Sequence, residues 1–499
     1  MLATIVIIYL FALLMVSLYA RQRIQSEEDY LVAGRRLPLF LAWGTLLATW
    51  FGAATMIGAA QAARDEGVRG TVLDPFASGT ALIVAGLFFA KPLWEMRLLT
   101  LADFYAQRFG RRAELVASVI MVPGYFGWIA AQFLALATLQ SSFFGIPHVP
   151  AMLIAFTIIL AYTMIGGMWS VTLTDTIQIA VVLVTLVILA VATLQALGNG
   201  QQSGWQRLIE ATPHDRRTLL PELSLGASIG WLATWATGIF GNLPGQDLFQ
   251  RVFAARSART AQHACWIAGV CYVGFGMIPV GLGLASSILL PDELAGGTLM
   301  ALAQNFLASP LIVVFVVSLL SIIISTCTSA VLSPASIVGH NLLGRIPWFR
   351  ARGLLTDRLA VAVVATAGLL TAFSGHTILE LLELSLSIAM VSLFVPLVFG
   401  IYGPRRGETA ALSAMIAGIL VWVPRELTEW LLLPMSAEET GDYATFIAEQ
   451  ATQTGWPNWV CQSCYGFFLL PSAISGTLLS LLAYFIAPNS NTSKGAGTR

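Results

Sequence analysis

Charged residues are scarce in this sequence. Asp, Glu, Lys and Arg make up 10% of its 499 residues, whereas 57% are hydrophobic; a typical soluble domain has about 25% charged residues. The mean hydropathy is +0.79. This composition excludes a soluble globular domain and predicts an all-α polytopic protein of the lipid bilayer. The net charge of zero gives no information about partners, and nothing in the sequence indicates nucleic-acid binding or calls for an obligate protein partner.

Histidine and cysteine are also scarce, with five of each. The histidines are scattered, mostly at the ends of apolar runs, so the paired His of a haem or metal site are missing. No glycine-rich phosphate loop precedes a strand. These absences argue against a redox or proton-pumping enzyme and against ATP drive, and we expect a protein that is not an enzyme. Cys461 and Cys464 form one CxxC without a second pair, which predicts a disulfide or two free thiols rather than zinc.

Long apolar runs dominate what is present. A window of about 19 residues predicts thirteen membrane-spanning helices. Their ranges are 2–20, 38–62, 70–93, 113–144, 149–168, 171–197, 223–245, 262–290, 309–340, 358–375, 379–402, 408–424 and 465–487. The first run lacks a basic segment before it and a small-residue cleavage site after it, so it is interpreted as a retained helix and not as a signal peptide.

Basic residues predict the orientation. An odd number of spans puts the two termini on opposite sides of the membrane. With the N-terminus extracytoplasmic, 20 of the 26 basic residues fall in cytoplasmic segments, as the positive-inside rule requires. We therefore expect a cell (inner) membrane protein with a cytoplasmic C-terminus.

Two sections of five spans each begin with a glycine-interrupted helix. Paired interruptions at corresponding places in two halves are typical of an inverted-repeat transporter. The predicted organisation is a leading helix and cytoplasmic loop (1–37), a first five-helix repeat (38–197), an extracytoplasmic loop (198–222), a second, inverted repeat (223–402), two trailing helices with an extracytoplasmic loop (403–487) and a cytoplasmic tail (488–499).

The stretch 44–58 carries the most information. Gly44, Gly52 and Gly58 interrupt an apolar segment that also contains three Thr. A helix that opens near the middle of the membrane frees backbone carbonyls that can hold a cation, and Trp50 and Phe51 mark the predicted break. The alternative is an ordinary span that packs through its small residues.

The span 309–340 is rich in hydroxyls. Ser321, Ser325 and Ser329 share one helix face, and Thr326 follows Ser325. Neutral hard oxygens suit a small alkali cation, although such hydroxyls also bond the i−4 carbonyls or join neighbouring helices.

Three aspartates in or near the spans are candidates for a functional or a structural role. Asp175 is a candidate functional acid or a helix cap at the cytoplasmic end of its span. We expect Asp74 to be a cap near the outer end of span 70–93, and Asp247 to pair with Arg251 in water.

Trp50 and Trp128 are candidates for substrate contact, because an indole face attracts organic cations and also stacks on apolar solutes. The alternative is that both are anchors or packing residues, as most of the fourteen Trp should be.

Several motifs resemble those of the sodium:solute symporter family, in the same order over residues 30–420. They are ATW at 48–50, GLFFAKP at 86–92, YTMIGGMWSV at 162–171 with TD at 174–175, FQRV at 249–252, and the serine-rich stretch 325–336. Along most of its length the chain is most similar to the high-affinity choline transporter branch of that family. The resemblance implies a five-plus-five inverted repeat with discontinuous helices and sodium-driven uptake by alternating access.

The resemblance also implies ion sites. It places a co-transported Na⁺ between the backbone carbonyls of Ala48, Phe51 and Ile322 and the hydroxyls of Ser325 and Thr326. A second sodium site or exit path, present in some relatives, would use Asp175, Thr328 and Ser329.

For the substrate, the resemblance implies an aromatic cage. Trp50 and Trp128 occupy two cage positions, and Ser78 and Gly245 stand at two others that are aromatic in choline carriers. A related quaternary amine such as choline is one expected substrate, and a proline-like amino acid or betaine is the alternative. A transporter-like solute sensor without flux is a hypothesis of another class; it usually carries an additional cytoplasmic domain.

Overall fold

The structure, a computed structural model, describes residues 2–21, 26–221, 224–290, 297–404, 406–432 and 471–488. Throughout these ranges the regular structure is helical, and the β pairing within them is limited to one isolated bridge between Leu37 and Ala255. The predicted all-α class is confirmed. Cys461 and Cys464 lie outside the described residues.

The described ranges contain 23 α-helices. They are α1 Leu2–Arg21, α2 Glu27–Val32, α3 Leu39–Trp50, α4 Ala59–Glu66, α5 Ser78–Val84, α6 Ala90–Glu95, α7 Leu101–Arg108, α8 Arg111–Met121, α9 Phe126–Phe144, α10 His148–Leu197, α11 Gly204–Ala211, α12 His214–Arg217, α13 Leu225–Phe240, α14 Gln246–Ala254, α15 Ala258–Leu289, α16 Thr298–Phe306, α17 Ser309–Ile337, α18 Pro347–Arg350, α19 Leu354–Thr371, α20 Ile378–Ala389, α21 Val395–Tyr402, α22 Glu408–Leu432 and α23 Ser472–Ile486. Short 3₁₀ or π segments join or flank them at Ala33–Arg35, Ala54–Gly58, Val68–Thr71, Val72–Ala77, Ala85–Phe89, Pro123–Tyr125, Val338–Leu342, Leu343–Arg345 and Met390–Phe394.

Every predicted span overlaps at least one of these helices. Seven continuous helical stretches in the described residues are long and apolar enough to cross a membrane, and one bent pair makes an eighth. The helices Leu225–Phe240 and Ser472–Ile486 are shorter. The polytopic membrane architecture is therefore confirmed, while the number thirteen stays a prediction.

The predicted break in span 38–62 is present. Helix α3 ends at Trp50, and the chain continues from Ala54 in a second helical piece that is bent by 57° from the first. The second glycine-rich stretch, at the end of span 223–245, also lies between two helices, since α13 ends at Phe240 and α14 starts at Gln246.

Helix α10, which is 50 residues long, contains two predicted spans. The hydroxyls of Tyr162 and Thr174 are nevertheless only 2.9 Å apart. Twelve residues of straight helix would separate them by roughly 18 Å. The chain therefore turns sharply between these two residues, as the predicted boundary between spans 149–168 and 171–197 requires.

Helix α17 lies at the centre of the bundle. Every residue from 318 to 337 is buried, and the helix packs against α3, α9, α10, α14 and α19. A lipid-facing span would expose one side. The hydroxyl-rich helix is therefore enclosed by protein, which makes its polar groups available to other helices and not to lipid.

Candidate functional site

The break after α3 frees backbone groups, and side chains from three other helices satisfy them. In a continuous α-helix the Gly52 N–H would donate to the Ala48 carbonyl. Here it donates to the Trp50 carbonyl instead, at 2.8 Å. Thr326 Oγ1 on α17 donates instead to the Ala48 carbonyl at 3.1 Å. A break inside a membrane is tolerated only where such partners exist.

The two other freed groups are met from α9 and α15. The Ala53 N–H donates to Gln132 Oε1 at 3.1 Å, and the Tyr272 hydroxyl oxygen lies 3.0 Å from the Trp50 carbonyl. All of these groups are buried. The break is thus held open by specific hydrogen bonds and is not a local loss of order.

Gly52 allows α17 to approach the break closely. A Cβ atom at this position would lie 2.6–2.9 Å from three atoms of the Thr326 side chain. Contacts that short would push the two helices apart. Glycine is therefore required here for close approach, which the sequence pattern indicated only as a helix interruption.

Asp175 connects three helices. Its Oδ2 accepts a hydrogen bond from Thr45 Oγ1 at 2.5 Å, and its Oδ1 accepts one from the Ser325 hydroxyl. Asp175 is fully buried, so it lies inside the bundle among α3, α10 and α17. Of its two alternatives, cap or functional acid, this position favours the second.

The hydroxyls of the predicted second sodium site have other partners. Thr328 Oγ1 donates to the Ile324 carbonyl at 2.8 Å. Ser329 Oγ accepts from the buried Arg251 guanidinium at 2.6 Å. The structure thus joins Asp175 to Ser325 of the first predicted site and not to Thr328 or Ser329.

All four predicted substrate residues, Trp50, Trp128, Ser78 and Gly245, line one cavity. The cavity lies beside the break, between α5, α9, α20 and the interruption after α13. The sequence pattern did not single out Tyr125 and Tyr272, which line the same cavity. The rings of Tyr125 and Trp128 lie 5.9 Å apart, and those of Trp50 and Tyr272 lie 6.3 Å apart, so two pairs of aromatic rings contribute to the walls.

Asp247 belongs to this cavity, and the expectation that it pairs with Arg251 in water is wrong. The residue is 5% exposed. Its carboxylate accepts hydrogen bonds of 2.6 Å from Trp50 Nε1 and from the Tyr125 hydroxyl, while Arg251 bonds only its backbone carbonyl, at 3.1 Å. The reason is that α14 turns its first residues into the bundle, where indole and phenol donors replace water.

Asp74 also lines the cavity, and no helix N-terminus is capped by it in the described residues. It is 2% exposed, and its Oδ2 accepts a hydrogen bond of 2.7 Å from Tyr272. An acid inside a membrane span is a functional candidate by default. That rule is the signal that should have set Asp74 apart from an ordinary cap.

A second cavity, here called the vestibule, is lined by residues of α4, the Val68–Thr71 segment and the start of α20. Glu380 and Glu383, near the start of α20, lie on its wall. A thin apolar layer separates the two cavities, since Leu73, Leu382 and Leu386 pack there against Ala54 and Trp128. A solute moving between vestibule and cavity must displace this layer.

Comparison with known proteins agrees with the geometry. A sequence profile of the sodium:solute symporter family matches residues 30–418. The chain is 25% identical over 427 residues to a high-affinity choline transporter of Caenorhabditis elegans, covering 79% of this chain and 71% of that one. It is 26% identical over 463 residues to an osmoregulated proline transporter of Bacillus subtilis, covering 85% and 88%.

The fold is shared with solved transporters. A Na⁺-coupled sialic acid symporter in a substrate-bound outward-open state superposes with a TM-score of 0.72 at 16% identity, over 99% of this chain and 98% of that one. A nucleobase-cation-symport-1 family transporter in a closed conformation gives 0.53 at 16% identity, over 91% and 92%. With a family profile that spans most of its length, a break in the expected helix and this shared architecture, the chain belongs to the sodium:solute symporter family, whose members are transporters and not enzymes.

Proposed function

We propose that the protein imports a small organic solute together with Na⁺, and that the ion binds where the broken helix α3 meets α17. The observation that carries the proposal is the hydrogen bond from Thr326 to the carbonyl of Ala48 across that junction. The proposed ligands are neutral oxygens from Ala48, Phe51, Ile322, Ser325 and Thr326. Phe51 lies within one helical turn of Ala48, and Ile322 and Ser325 lie within one turn of Thr326. Na⁺ would replace the Thr326 proton as the partner of the Ala48 carbonyl.

Asp175 adds a negative charge to this site through Ser325 and Thr45. Because Thr328 and Ser329 have other hydrogen-bond partners, Asp175 acts on the ion that enters or leaves the first site. A separate second ion at Thr328 and Ser329 would require Arg251 to move away from Ser329.

Coupling follows from the position of Trp50. Its backbone lies in the break, between the proposed sodium ligands Ala48 and Phe51, and its ring lines the cavity, so the residue links the two sites. Na⁺ bound at the junction fixes the end of α3 and thereby the cavity wall, and a solute against Trp50 fixes the junction in turn. The two ligands must then raise each other's affinity by the same factor.

The membrane arrangement completes the proposal. The protein resides in the cell (inner) membrane with an extracytoplasmic N-terminus and a cytoplasmic C-terminus, and the two five-helix repeats occupy residues 38–197 and 223–402. The vestibule then faces outward. The solute enters through it, displaces the layer formed by Leu73 and Leu382, and reaches the cavity.

The test is uptake by purified protein in proteoliposomes. An inward sodium gradient, with a potassium gradient as control, is imposed while labelled choline, proline, betaine and other small solutes are offered. We expect sodium-dependent accumulation, and Ser325→Ala and Thr326→Ala should raise the sodium concentration for half-maximal uptake. Thr366→Ala is the control, because it also removes a helix hydroxyl, but this one bonds only its own i−4 carbonyl on an exposed face of α19.

Two results would contradict the proposal. Sodium dependence that is unchanged in both variants would remove the ion from this junction. Sodium-independent binding of a solute without accumulation would favour a solute sensor instead.

A further inference from the structure

One carboxylate oxygen in the cavity lacks a partner. Asp74 Oδ2 accepts a hydrogen bond from Tyr272, whereas Oδ1 is buried and has no hydrogen-bond partner. The side chain lies on the cavity wall. Leaving a buried carboxylate oxygen without a donor is costly, so the arrangement fits a ligand that brings its own donor.

The charges around the cavity are one-sided. Asp74 and Asp247 line it, and no Lys, Arg or His is found among the described residues of its wall. Asp247 already accepts from an indole and a phenol. The guanidinium of Arg251 points to Ser329 and to backbone. The cavity therefore favours a cation over a solute that carries a carboxylate of its own.

The approach to the cavity carries the same sign. Asp65, Glu66, Glu380 and Glu383 line the vestibule together with a single Arg69, among the described residues. A cleft rich in one sign of charge raises the local concentration of the opposite ion. This surface is separate from the Asp74 pocket and supports a cationic solute independently.

The free oxygen also distinguishes between kinds of cation. A quaternary ammonium has no N–H and cannot donate to Asp74 Oδ1, whereas a protonated primary, secondary or tertiary amine can. The small residues Ser78 and Gly245 leave room beside the two carboxylates; a Cβ atom at Gly245 would come within 2.9 Å of Asp247 Oδ1. Aromatic rings of Trp50 and Trp128 remain for the carbon skeleton of the amine.

We propose that the solute is a small protonated amine with at least one N–H, which donates to Asp74 Oδ1. Trp50 and Trp128 contact its carbon atoms, and Asp247 is held by its own donors as a second negative charge. The inference rests on the proposed function, because it assumes that this cavity is the solute site of the sodium-driven cycle.

The experiment uses a matched series on one scaffold: ethanolamine, N-methylethanolamine, N,N-dimethylethanolamine and choline, which carry three, two, one and no N–H groups. Proline and betaine are the zwitterionic members of the panel. Binding to the purified full-length protein is measured as thermal stabilisation in sodium and in potassium. We expect the N–H-bearing amines to bind at least tenfold more tightly than choline, in sodium only.

Asp74→Asn should weaken the binding of the N–H-bearing amines by at least tenfold and change the binding of choline little. The preference for these amines over choline should then disappear. Asp74→Glu keeps the charge and should restore part of it. Asp215→Asn, on the exposed helix α12, removes the same charge far from the cavity and should change nothing. The melting temperature of each variant without ligand shows whether it is folded.

The outcomes separate the two proposals. If choline binds most tightly, if proline or betaine exceeds every amine, or if Asp74→Asn keeps the preference, the amine assignment is overturned while sodium-coupled import stands. A panel without any sodium-dependent response counts against both.

Discussion

The junction of α3 with α17 and the neighbouring cavity differ in whether their buried polar groups have hydrogen-bond partners within the protein. At the junction, the freed Ala48 carbonyl and the Ala53 N–H each have a side-chain partner, and the Trp50 carbonyl accepts from the Gly52 N–H. In the cavity, Asp74 Oδ1 has none. The polar groups at the junction are therefore hydrogen-bonded within the protein, and a small ion can replace one of the donors. The carboxylate oxygen in the cavity has no donor within the protein and can accept one from a solute.

The largest expected effect concerns the close approach at the junction. Gly52→Val would place side-chain atoms where Thr326 lies; overpacking of this kind costs roughly 1–3 kcal/mol or more, and here it separates the two halves of the ion site. We expect loss of sodium-driven uptake in proteoliposomes. Gly274→Ala is the control, because a Cβ atom there meets nothing within 4 Å. Normal uptake by Gly52→Val would show that the junction need not be close-packed.

The next effect concerns the charge behind the junction. Asp175→Asn keeps the shape but removes the negative charge and replaces one of the two oxygens that accept from Thr45 and Ser325 with an NH₂ group. Hydrogen bonds to charged groups contribute roughly 1.5–3 kcal/mol, so the sodium concentration for half-maximal uptake should rise by roughly tenfold or more. Solute affinity at saturating sodium should change little. If the variant had altered solute affinity and normal sodium dependence, Asp175 would act on the solute cavity and not on the junction.

A smaller effect is expected at Trp50, which belongs to both regions. Trp50→Phe retains an aromatic wall but removes the Nε1 donor to Asp247, whereas Trp50→Ala removes both. Loss of a cation–π contact weakens binding by about 0.5–2 kcal/mol. Solute affinity, measured by thermal stabilisation, should therefore fall from wild type through Phe to Ala, with insertion into the membrane preserved. Equal affinity in all three proteins would remove Trp50 from the solute site.

The smallest effect on sodium-driven uptake concerns the backbone of the break. Gln132→Leu leaves the Ala53 N–H without its acceptor, and an unsatisfied buried group costs roughly 1–3 kcal/mol. We expect a lower melting temperature with sodium dependence nearly intact. Gln132→Glu, which retains an acceptor oxygen, should be less affected. Destabilisation of equal size in both variants would mean that the side chain acts through packing and not through that hydrogen bond.

The sequence predicted the junction better than the cavity. Glycines within an apolar run and hydroxyls at helical spacing are local patterns, so the break near Trp50 and the crowded face around Ser325 could be found without coordinates. The family resemblance joined these two stretches, and it also brought Trp50, Trp128, Ser78 and Gly245 to one cavity.

The surroundings of Asp247 and Asp74 depend on tertiary structure, so local sequence patterns do not predict them. Asp247 follows Pro244 and Gly245, which is typical of a solvent-exposed turn, but α14 carries it into the bundle beside Trp50. Asp74 precedes Pro75 near the outer end of its span, a position typical of a cap, but its side chain lines the cavity. The phenol of Tyr272, almost two hundred residues away in the chain, could not be connected with it by any local pattern.

The central claim, that Na⁺ binds at the junction of α3 and α17, is tested most directly by equilibrium binding of radioactive ²²Na⁺ to purified protein without solute. Wild type and the control Thr366→Ala should bind sodium saturably and equally. Thr326→Ala and Ser325→Ala should bind it at least about tenfold more weakly, the change that loss of about 1.4 kcal/mol produces. Sodium binding of wild-type strength in both variants would contradict the claim.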